Sequence, residues 1–499
     1  MPPLPANGKI APMRWRDFDK LPPLPPEFFH IPRRVHFIGI GGIGMSALAF
    51  VLASRGHAIS GSDVKESDTL KQLREAGAKI AIGQREENLD LAGAPCDAVI
   101  FSSAVAPDNP ERVEAEKRNV PLWHRAQLLA YFVNTAKKSI AVSGTHGKST
   151  TSAMVAHILT ECGHDPTAIL GAVYPPFGSN ARIGDPDLVV VEADESDGSF
   201  TLLHPTVSVI LNVEAEHLEN YDDSEERLWE AFAMFVKQAR EEVVLNEEDA
   251  ELTQRLGDDN SILYTTTAAV NSAVWASHLK PESGKTGYGL CYAGFRFPAT
   301  DDSDFVGEFS LGVPGLHNVS NALAAITSVW PLEVLLEDSA KALQSFHGTL
   351  RRFERKGEAS GVLIYDDYGH HPTEVEKTLQ AAKEFLNRRL LVIFQPHRYS
   401  RTQQLGAAFG PAFGAADEVI ITQLYSAFEE PIEGVSGKIV YDAVQNSYPE
   451  KPVYYAETLA EAKRLALDKA RPGDVILTMG AGDITTLGPQ LLDALKSQS

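Results

Sequence analysis

The chain has 499 residues, enough for roughly two to four domains with cores of their own, and carries 67 acidic against 45 basic side chains. The formal charge of -22 opposes non-specific binding to nucleic acid or an anionic membrane, so a polyanionic ligand has to be gripped by particular residues. Cys96, Cys162 and Cys291 are far apart and odd in number, which excludes a disulfide framework and a thiolate metal cluster. No apolar run has the length of a membrane span, and the opening residues lack the basic and apolar regions of a secretory signal, so a cytoplasmic location is expected.

Residues 1–30 read as a Pro-rich, partly extended lead-in across a domain surface, with nothing that gives them a catalytic role. From Arg34, the run VHFIGIGGIGMSALAFVLASRGHAISGSD predicts strand, glycine turn, helix and second strand, a βαβ unit ending at Asp63. Gly39, Gly41 and Gly44 supply the G-x-G-x-x-G spacing that lets a backbone approach a pyrophosphate, and Asp63 lies near the distance at which an acid meets a ribose hydroxyl. The motif alone fits FAD, NAD or a UDP-sugar. Further parallel strands are predicted at 78–82 and 97–101. Ser102 and Ser103 follow the second, placed either to touch a ligand or to make a plain turn, and a domain boundary is expected near residue 138.

The next domain opens with KKSIAVSGTHGKSTTSAMVAHIL, a strand ending at Ser139–Val142, turns at Gly144 and Gly147, and a helix start at Lys148. Lys148 is placed to reach the β and γ phosphates of a nucleotide, the new helix points N–H groups at them, and Ser149 offers a hydroxyl to a magnesium ion. Two residues separate the glycines, where the general phosphate loop has four. A second strand, in DLVVVEADESDGSF, is followed by Glu192, Asp194, Glu195 and Asp197. A third, in TVSVILNVEAEHLENYDD, is followed by Asn212, Glu214, Glu216 and His217. Acids at the carboxyl ends of strands suit metal positions, with a solvated loop as the plain alternative. Residues 255–305 have weak periodicity and are expected only to extend the central sheet. In LGVPGLHNVSNALAAITS, His317, Asn318 and Asn321 either face a base or ribose or cap a helix.

A third domain begins near FHGTLRRFERKGE and continues through GVLIYDDYGHHPTEV, LLVIFQPHRYSRTQ and DVILTMGAGDITTLGPQLLDAL. Polar residues again cluster where strands stop. Arg398 and Arg401 suit a small carboxylate, His397 adds a donor, Tyr368 limits side-chain size, and His370 or His371 faces phosphate or substrate. Arg351 and Arg352 bring positive charge toward the nucleotide, with a salt-bridged surface as the competing reading.

The motifs HFIGIGGIGMSALA, SGTHGKST, EADESD, GLHNVSNALAA, DDYGHHPTEV, PHRYSRT and GAGDI, in that order, resemble the ATP-dependent peptidoglycan-precursor ligases from about residue 34 to 485. The resemblance implies an α/β architecture of three domains: a Rossmann-like UDP-sugar-binding domain (31–138) after the extension, a central phosphate-loop ATP-binding domain (139–346), and a Rossmann-like amino-acid-binding domain (347–499). It explains the short loop form from Gly144 to Thr150, and implies that Gly144, Thr145, His146, Gly147, Lys148, Ser149, Thr150, His317, Asn318, Asn321 and Arg352 meet ATP. Gly39, Gly41, Gly42, Gly44, Asp63, Ser102 and Ser103 would meet the UDP part of the sugar, and Tyr368, His397, Arg398 and Arg401 the amino acid. Ser149, Glu192 and His217 would hold Mg2+ or Mn2+, with Lys148, Glu192 and His217 as the catalytic set. Glu216 and Glu219 stand where the family usually has Asp, which leaves the placement around His217 less fixed than the loop. The implied substrates are UDP-N-acetylmuramate, L-alanine and ATP, joined through an acyl phosphate. A related ligase attaching a recycled peptide is the alternative inside the family, and an NAD-dependent oxidoreductase or a non-catalytic nucleotide-gated scaffold the alternatives outside it. A monomer–dimer equilibrium is compatible with the sequence.

Overall fold

The structure is a computed structural model that describes residues 15–18, 20–258, 261–267, 272–282, 285–292, 304–427 and 429–497. The chain divides into two compact units, one of Met1–Ser277, Leu290–Gly307 and Ser320–Leu343, the other of His278–Gly289, Glu308–Val319 and Gln344–Ser499.

The first unit carries two sheets. Strands β1 (Arg34–Ile38), β2 (Ala58–Asp63), β3 (Lys79–Ile82), β4 (Ala98–Phe101) and β5 (Leu122–His124) form a parallel sheet in the order β3-β2-β1-β4-β5. β3 and β4 fall where strands at 78–82 and 97–101 were expected. The chain leaves β1 to one side for β2 and later returns to its other side for β4, which opens a crevice at the carboxyl end of β1. The glycine turn sits there, followed by the helix Ile43–Ser54, which buries Met45, Leu48, Val51 and Leu52 on the sheet.

The second sheet is built on β6 (Lys138–Ser143), β7 (Pro166–Tyr174), β8 (Ser179–Arg182), β9 (Asp185–Glu192), β10 (Val207–Ile210), β11 (Glu242–Asn246), β12 (Ile262–Thr265) and β13 (Val274–Glu282). Its order is β13-β12-β11-β10-β6-β9-β7-β8, parallel except for the β7–β8 hairpin. β6, with Ile140, Ala141 and Val142 fully buried, lies in the middle, so the loop after it opens between the ends of β9 and β10. The expected extension of this sheet through 255–305 is met by β12 and β13. Residues 259–260, 268–271, 283–284 and 293–303 of that stretch lie outside the described residues. β13, β14 (Lys285–Tyr292) and β15 (Asp304–Leu311) are each split between the two units.

The second unit holds β16 (Glu354–Ala359), β17 (Val362–Asp367), β18 (Leu390–Phe394), β19 (Glu418–Thr422), β20 (Val453–Ala456) and β21 (Val475–Met479), ordered β16-β17-β21-β18-β19-β20. Only β16–β17 is antiparallel. Leu390, Val392 and Phe394 belong to one apolar cluster and Leu391 and Ile393 to another, so β18 is covered on both faces. That is why its sequence is an unbroken apolar run, as parallel strands between helices require.

Candidate active site

The phosphate loop is Gly144–Thr150, between β6 and the helix Lys148–Glu161. It is zipped to the end of β10: Thr145 N donates to Asn212 O at 3.0 Å, His146 N to Asn212 Oδ1 at 2.8 Å, and Glu214 N to Thr145 Oγ1 at 2.8 Å. Asn212 Nδ2 returns a bond to His146 O at 3.1 Å. Gly147 caps the helix at φ 89°, and a Cβ there would lie 2.6 Å from Asn321 Oδ1. The turn therefore needs glycine twice over, for its left-handed backbone and for the approach of Asn321. This contact places Asn321 on the loop. His317 and Asn318 stand at the start of the same helix, Leu316–Val329. Asn318 Nδ2 bonds Pro314 O at 2.6 Å, and burial pulls the His317 pKa down to about 4, with Lys377 adding to it.

Lys148 Nζ donates to Gly144 O at 2.7 Å and Thr145 O at 3.0 Å, and forms an ion pair with Glu195 Oε2 at 2.7 Å. Burial alone would lower the lysine's pKa, but the carboxylates of Glu195, Asp194 and Glu192 outweigh it and keep the ammonium charged. Burial pushes Glu195 up to about 7 against the pull of Lys148, with Asp194 adding to the rise. The acid that answers the lysine is therefore the third of the four in EADESD, a distinction that strand-end chemistry does not make. Glu192 ends β9, and its Oε2 accepts Gly171 N at 2.9 Å. Ser149 is buried at the first turn of the loop helix.

His217 adopts φ 56° after β10, 3.8 Å from Glu216 and 3.9 Å from Glu219. Burial lowers its pKa, but Glu219 and the charges of Glu195, Glu216 and Asp194 raise it on balance. His146 Nε2 lies 3.3 Å from Glu214 and 3.6 Å from Glu216. The Glu192 carboxylate and Ser149 hydroxyl are hard oxygen donors of the kind Mg2+ and Mn2+ take, with the imidazole of His217 a softer third donor.

In the first sheet, Asp63 ends β2 and its Oδ2 accepts Gly41 N at 2.9 Å, so the acid expected near a ribose here braces the glycine turn. Asn180 Nδ2 donates to Ile43 O, tying the β7–β8 hairpin to the start of the helix that Gly42 caps and that contains Gly44. Ser102 O accepts Val105 N at 2.9 Å in a turn. The Ser103 hydroxyl lies 3.0 Å from both His124 Nε2 and Asp197 Oδ2. Arg125 Nη2 reaches the same Asp197 oxygen at 3.2 Å, and its Nη1 lies 3.6 Å from where a Cβ on Gly44 would stand. His124 and Arg125 belong to no motif, and only the fold brings them to the acid loop.

In the second unit, the ends of β17, β18 and β21 converge. Tyr368 lies beneath Arg351 and Arg352, whose Cζ atoms are 4.8 and 5.2 Å from its ring centre. Arg351 Nη2 donates to Gly480 O at 2.6 Å and Gly482 O at 3.1 Å, and Arg352 is 3.7 Å from Glu374. His370 meets Tyr368 edge-on at 5.2 Å and His397 at 5.7 Å, and His397 stacks on Tyr425 at 5.8 Å. Arg401 Nη1 is 3.3 Å from His397 Nδ1, and Arg398 has φ 69° just before the helix Tyr399–Leu405. A non-glycine residue held there by its N–H bond to Tyr425 O is a strained, fixed position of the sort that binding sites use. Burial pulls His370 down to about 4 and His397 down to about 3, so both rings are neutral and do not compete with the arginines for an anion.

Three family models match in sequence: Mur ligase family, catalytic domain, over residues 34–137; Mur ligase middle domain over 142–329; and Mur ligase, glutamate ligase domain, over 351–482. The chain belongs to the Mur ligase family. It therefore has the family's three-domain α/β architecture. Among Mur ligase relatives, the UDP-N-acetylmuramate–L-alanine ligase of Geobacter sulfurreducens is 40% identical over 466 residues, 93% of this chain and 98% of that one. That of Myxococcus xanthus is 39% identical over 95% of this chain and 98% of its own. The crystal structure of UDP-N-acetylmuramate-alanine ligase from Thermotoga maritima superposes with a TM-score of 0.78 at 33% identity, covering 94% of this chain and all of that one. A murein peptide ligase from Psychrobacter arcticus, at 24% identity and TM-score 0.66 over 93% of this chain and 99% of that one, shares the fold.

Proposed function

We propose that this Mur ligase joins L-alanine to UDP-N-acetylmuramate, forming UDP-N-acetylmuramoyl-L-alanine, ADP and phosphate in peptidoglycan-precursor synthesis, the reaction EC 6.3.2.8. The observation that carries the reading is the likeness to UDP-N-acetylmuramate–L-alanine ligases at 40% identity over 93% of the chain. A carboxylate is a poor electrophile and its oxygen a poor leaving group, so the lactyl carboxylate first attacks the γ-phosphorus of ATP. The bond to the β-phosphate oxygen breaks, ADP leaves, and an acyl phosphate forms. Lys148 lets go of Glu195 and the two loop carbonyls to hold the transferring phosphoryl group, a task of position and charge. The neutral amine of L-alanine then attacks the acyl carbon, and the tetrahedral intermediate expels phosphate, which leaves with the amine's proton directly or through water. Ser149, Glu192 and His217 are the residues that would hold Mg2+ or Mn2+, which when bound screens the phosphate charge.

Gly39, Gly41, Gly42, Gly44 and Asp63 serve the UDP moiety in this reading, and Asn321, with His317 and Asn318 on its helix, serves ATP. Arg398 and Arg401 take the alanine carboxylate, with Tyr368 beside the methyl group. The domains run 31–138, 139–346 and 347–499 behind the N-terminal 30 residues. The reactants are soluble and no described helix is long and apolar enough to cross a membrane, which fits a cytoplasmic enzyme; a monomer–dimer equilibrium is part of the same proposal.

The test is magnesium-dependent phosphate release from ATP and UDP-N-acetylmuramate with no acceptor, L-alanine, glycine, L-serine or a short peptide, with product masses measured in parallel. Alanine-dependent release with a product one alanyl unit heavier is expected. Peptide-dependent release would instead assign a recycling ligase.

A further inference from the structure

The described part of the N-terminal segment, Trp15–Phe18 and Lys20–His30, lies ahead of residue 34, where the first family model begins. Its Pro-rich composition predicts a lead-in resting on the surface, yet Trp15, Phe18, Leu24 and Phe29 are all buried. One end is fixed to β5 and the helix after it, Arg125–Thr135, where Gln127 Nε2 donates to Pro22 O at 2.7 Å and Phe28 meets Trp123 edge-on at 4.6 Å. The other end lies on the acid loop after β9. A Cβ on Gly198, which has φ 79°, would lie 2.2 Å from Trp15 Cβ and 2.6 Å from Trp15 Cα, so the strap's backbone at Trp15 is seated on bare glycine. The Trp15 ring is 6.2 Å from that of Tyr221, whose hydroxyl donates to the Glu195 carbonyl.

Phe18 reaches the same loop by a second route. It packs edge-on against His124 at 5.1 Å. His124 Nδ1 accepts Ala126 N at 3.3 Å, so the ring's proton is on Nε2 and is donated to Ser103 Oγ. The Ser103 hydroxyl then donates to Asp197 Oδ2. Two chains of contact thus run from one short segment to both ends of Glu195–Asp197, the stretch whose first carboxylate holds Lys148.

We propose that the N-terminal strap is a positioning element for the ligation, in which Trp15 and Phe18 set the acid loop that presents Glu195 to Lys148 and so fix the geometry of the nucleotide site. The proposal deepens the functional reading above and rests on it for the identity of the reaction. Its test, in the full chain, is calorimetric binding of the magnesium complex of β,γ-imido-ATP together with steady-state kinetics for the parent, Trp15→Ala, Trp15→Phe and Phe18→Leu. Trp15→Ala is expected to weaken the analogue about tenfold and raise KM for ATP in step, with KM for L-alanine within about twofold of the parent. Trp15→Phe restores both, because it keeps a ring facing Tyr221 and removes an indole N–H that meets no acceptor among the described residues.

A purely structural role would lower the melting temperature and the active fraction and leave the nucleotide affinity of the folded protein unchanged, and that result overturns the proposal. If Trp15→Ala does not fold, Phe18→Leu decides: about threefold weaker analogue binding supports the strap's role, and parent affinity overturns it. A parent chain that ligates no alanine defeats the functional reading, while the analogue affinities still decide what the strap does.

Discussion

Lys148 is surrounded by two carbonyls and a carboxylate, all of which it must leave to meet ATP. Lys148→Ala is expected to lower kcat by about 10³-fold, the scale on which a single pre-set charge partner acts, as measured by phosphate release with all three substrates. Arg398 is held by backbone, so removing its guanidinium takes away charge without moving the loop. Arg398→Ala should raise KM for L-alanine about 50-fold, equivalent to about 2 kcal/mol for a charge-assisted contact, with KM for ATP near the parent value. An unchanged alanine dependence would remove Arg398 from the amino-acid site.

At the scale of elements, each polar cluster stands at the carboxyl end of a strand, and strand ends are legible because buried parallel strands are written as unbroken apolar runs. The loop geometry beyond them is less so. EADESD offers four acids within six residues, and which one meets Lys148 depends on turns and on Tyr221 pinning the Glu195 carbonyl, contacts made across 26 residues of chain. Ser103, following a strand, reads as either a ligand contact or a plain turn. Its bond to Asp197 spans 94 residues, a distance at which local pattern carries no information. Gly147 combines a positive φ with the approach of Asn321. Gly147→Ala should therefore cost about 1–3 kcal/mol of stability, seen as a lower melting temperature, and suppress ATP-dependent turnover more than UDP-sugar binding. Chelation with EDTA should stop phosphate release while leaving the melting temperature in place, since the acids are fixed by protein contacts such as Gly171 N to Glu192; a collapse of the fold would make the cation structural.

Across the molecule, His124, His317, His370 and His397 all have pKa values pulled down by burial, to about 4, 4, 4 and 3. Each is neutral when folded and takes up a proton near its ordinary value of 6.5 when unfolded, so their stabilisation is complete above pH 6.5 and is lost as pH falls toward 4. Asp367 and Glu195 act oppositely. Burial lifts Asp367 to about 6 and Glu195 to about 7, so their contributions are present below the ordinary carboxyl values of 3.8 and 4.5 and fade as pH rises through 6 and 7. With these four rings against these two acids, unfolding titrations should show stability falling between pH 6.5 and 4. For His370, whose pKa falls from 6.5 to about 4, the loss is about 3 kcal/mol at about 1.4 kcal/mol per unit. A flat profile over that range would mean that the rings are solvated.

The pairing of Lys148 with Glu195 also bears on what the loop declines to bind. A phosphate loop with a bare ammonium is an open socket for any small anion, including the inorganic phosphate that the reaction releases. Here the socket is plugged by the chain's own carboxylate, and a lone phosphate has to displace that plug with one anionic group and no base or ribose to help. A magnesium nucleotide brings many contacts at once and can displace it. When products leave, the carboxylate reclaims the lysine, so the resting enzyme should be poorly inhibited by free phosphate, and replacing Glu195 with Gln should make it markedly more sensitive.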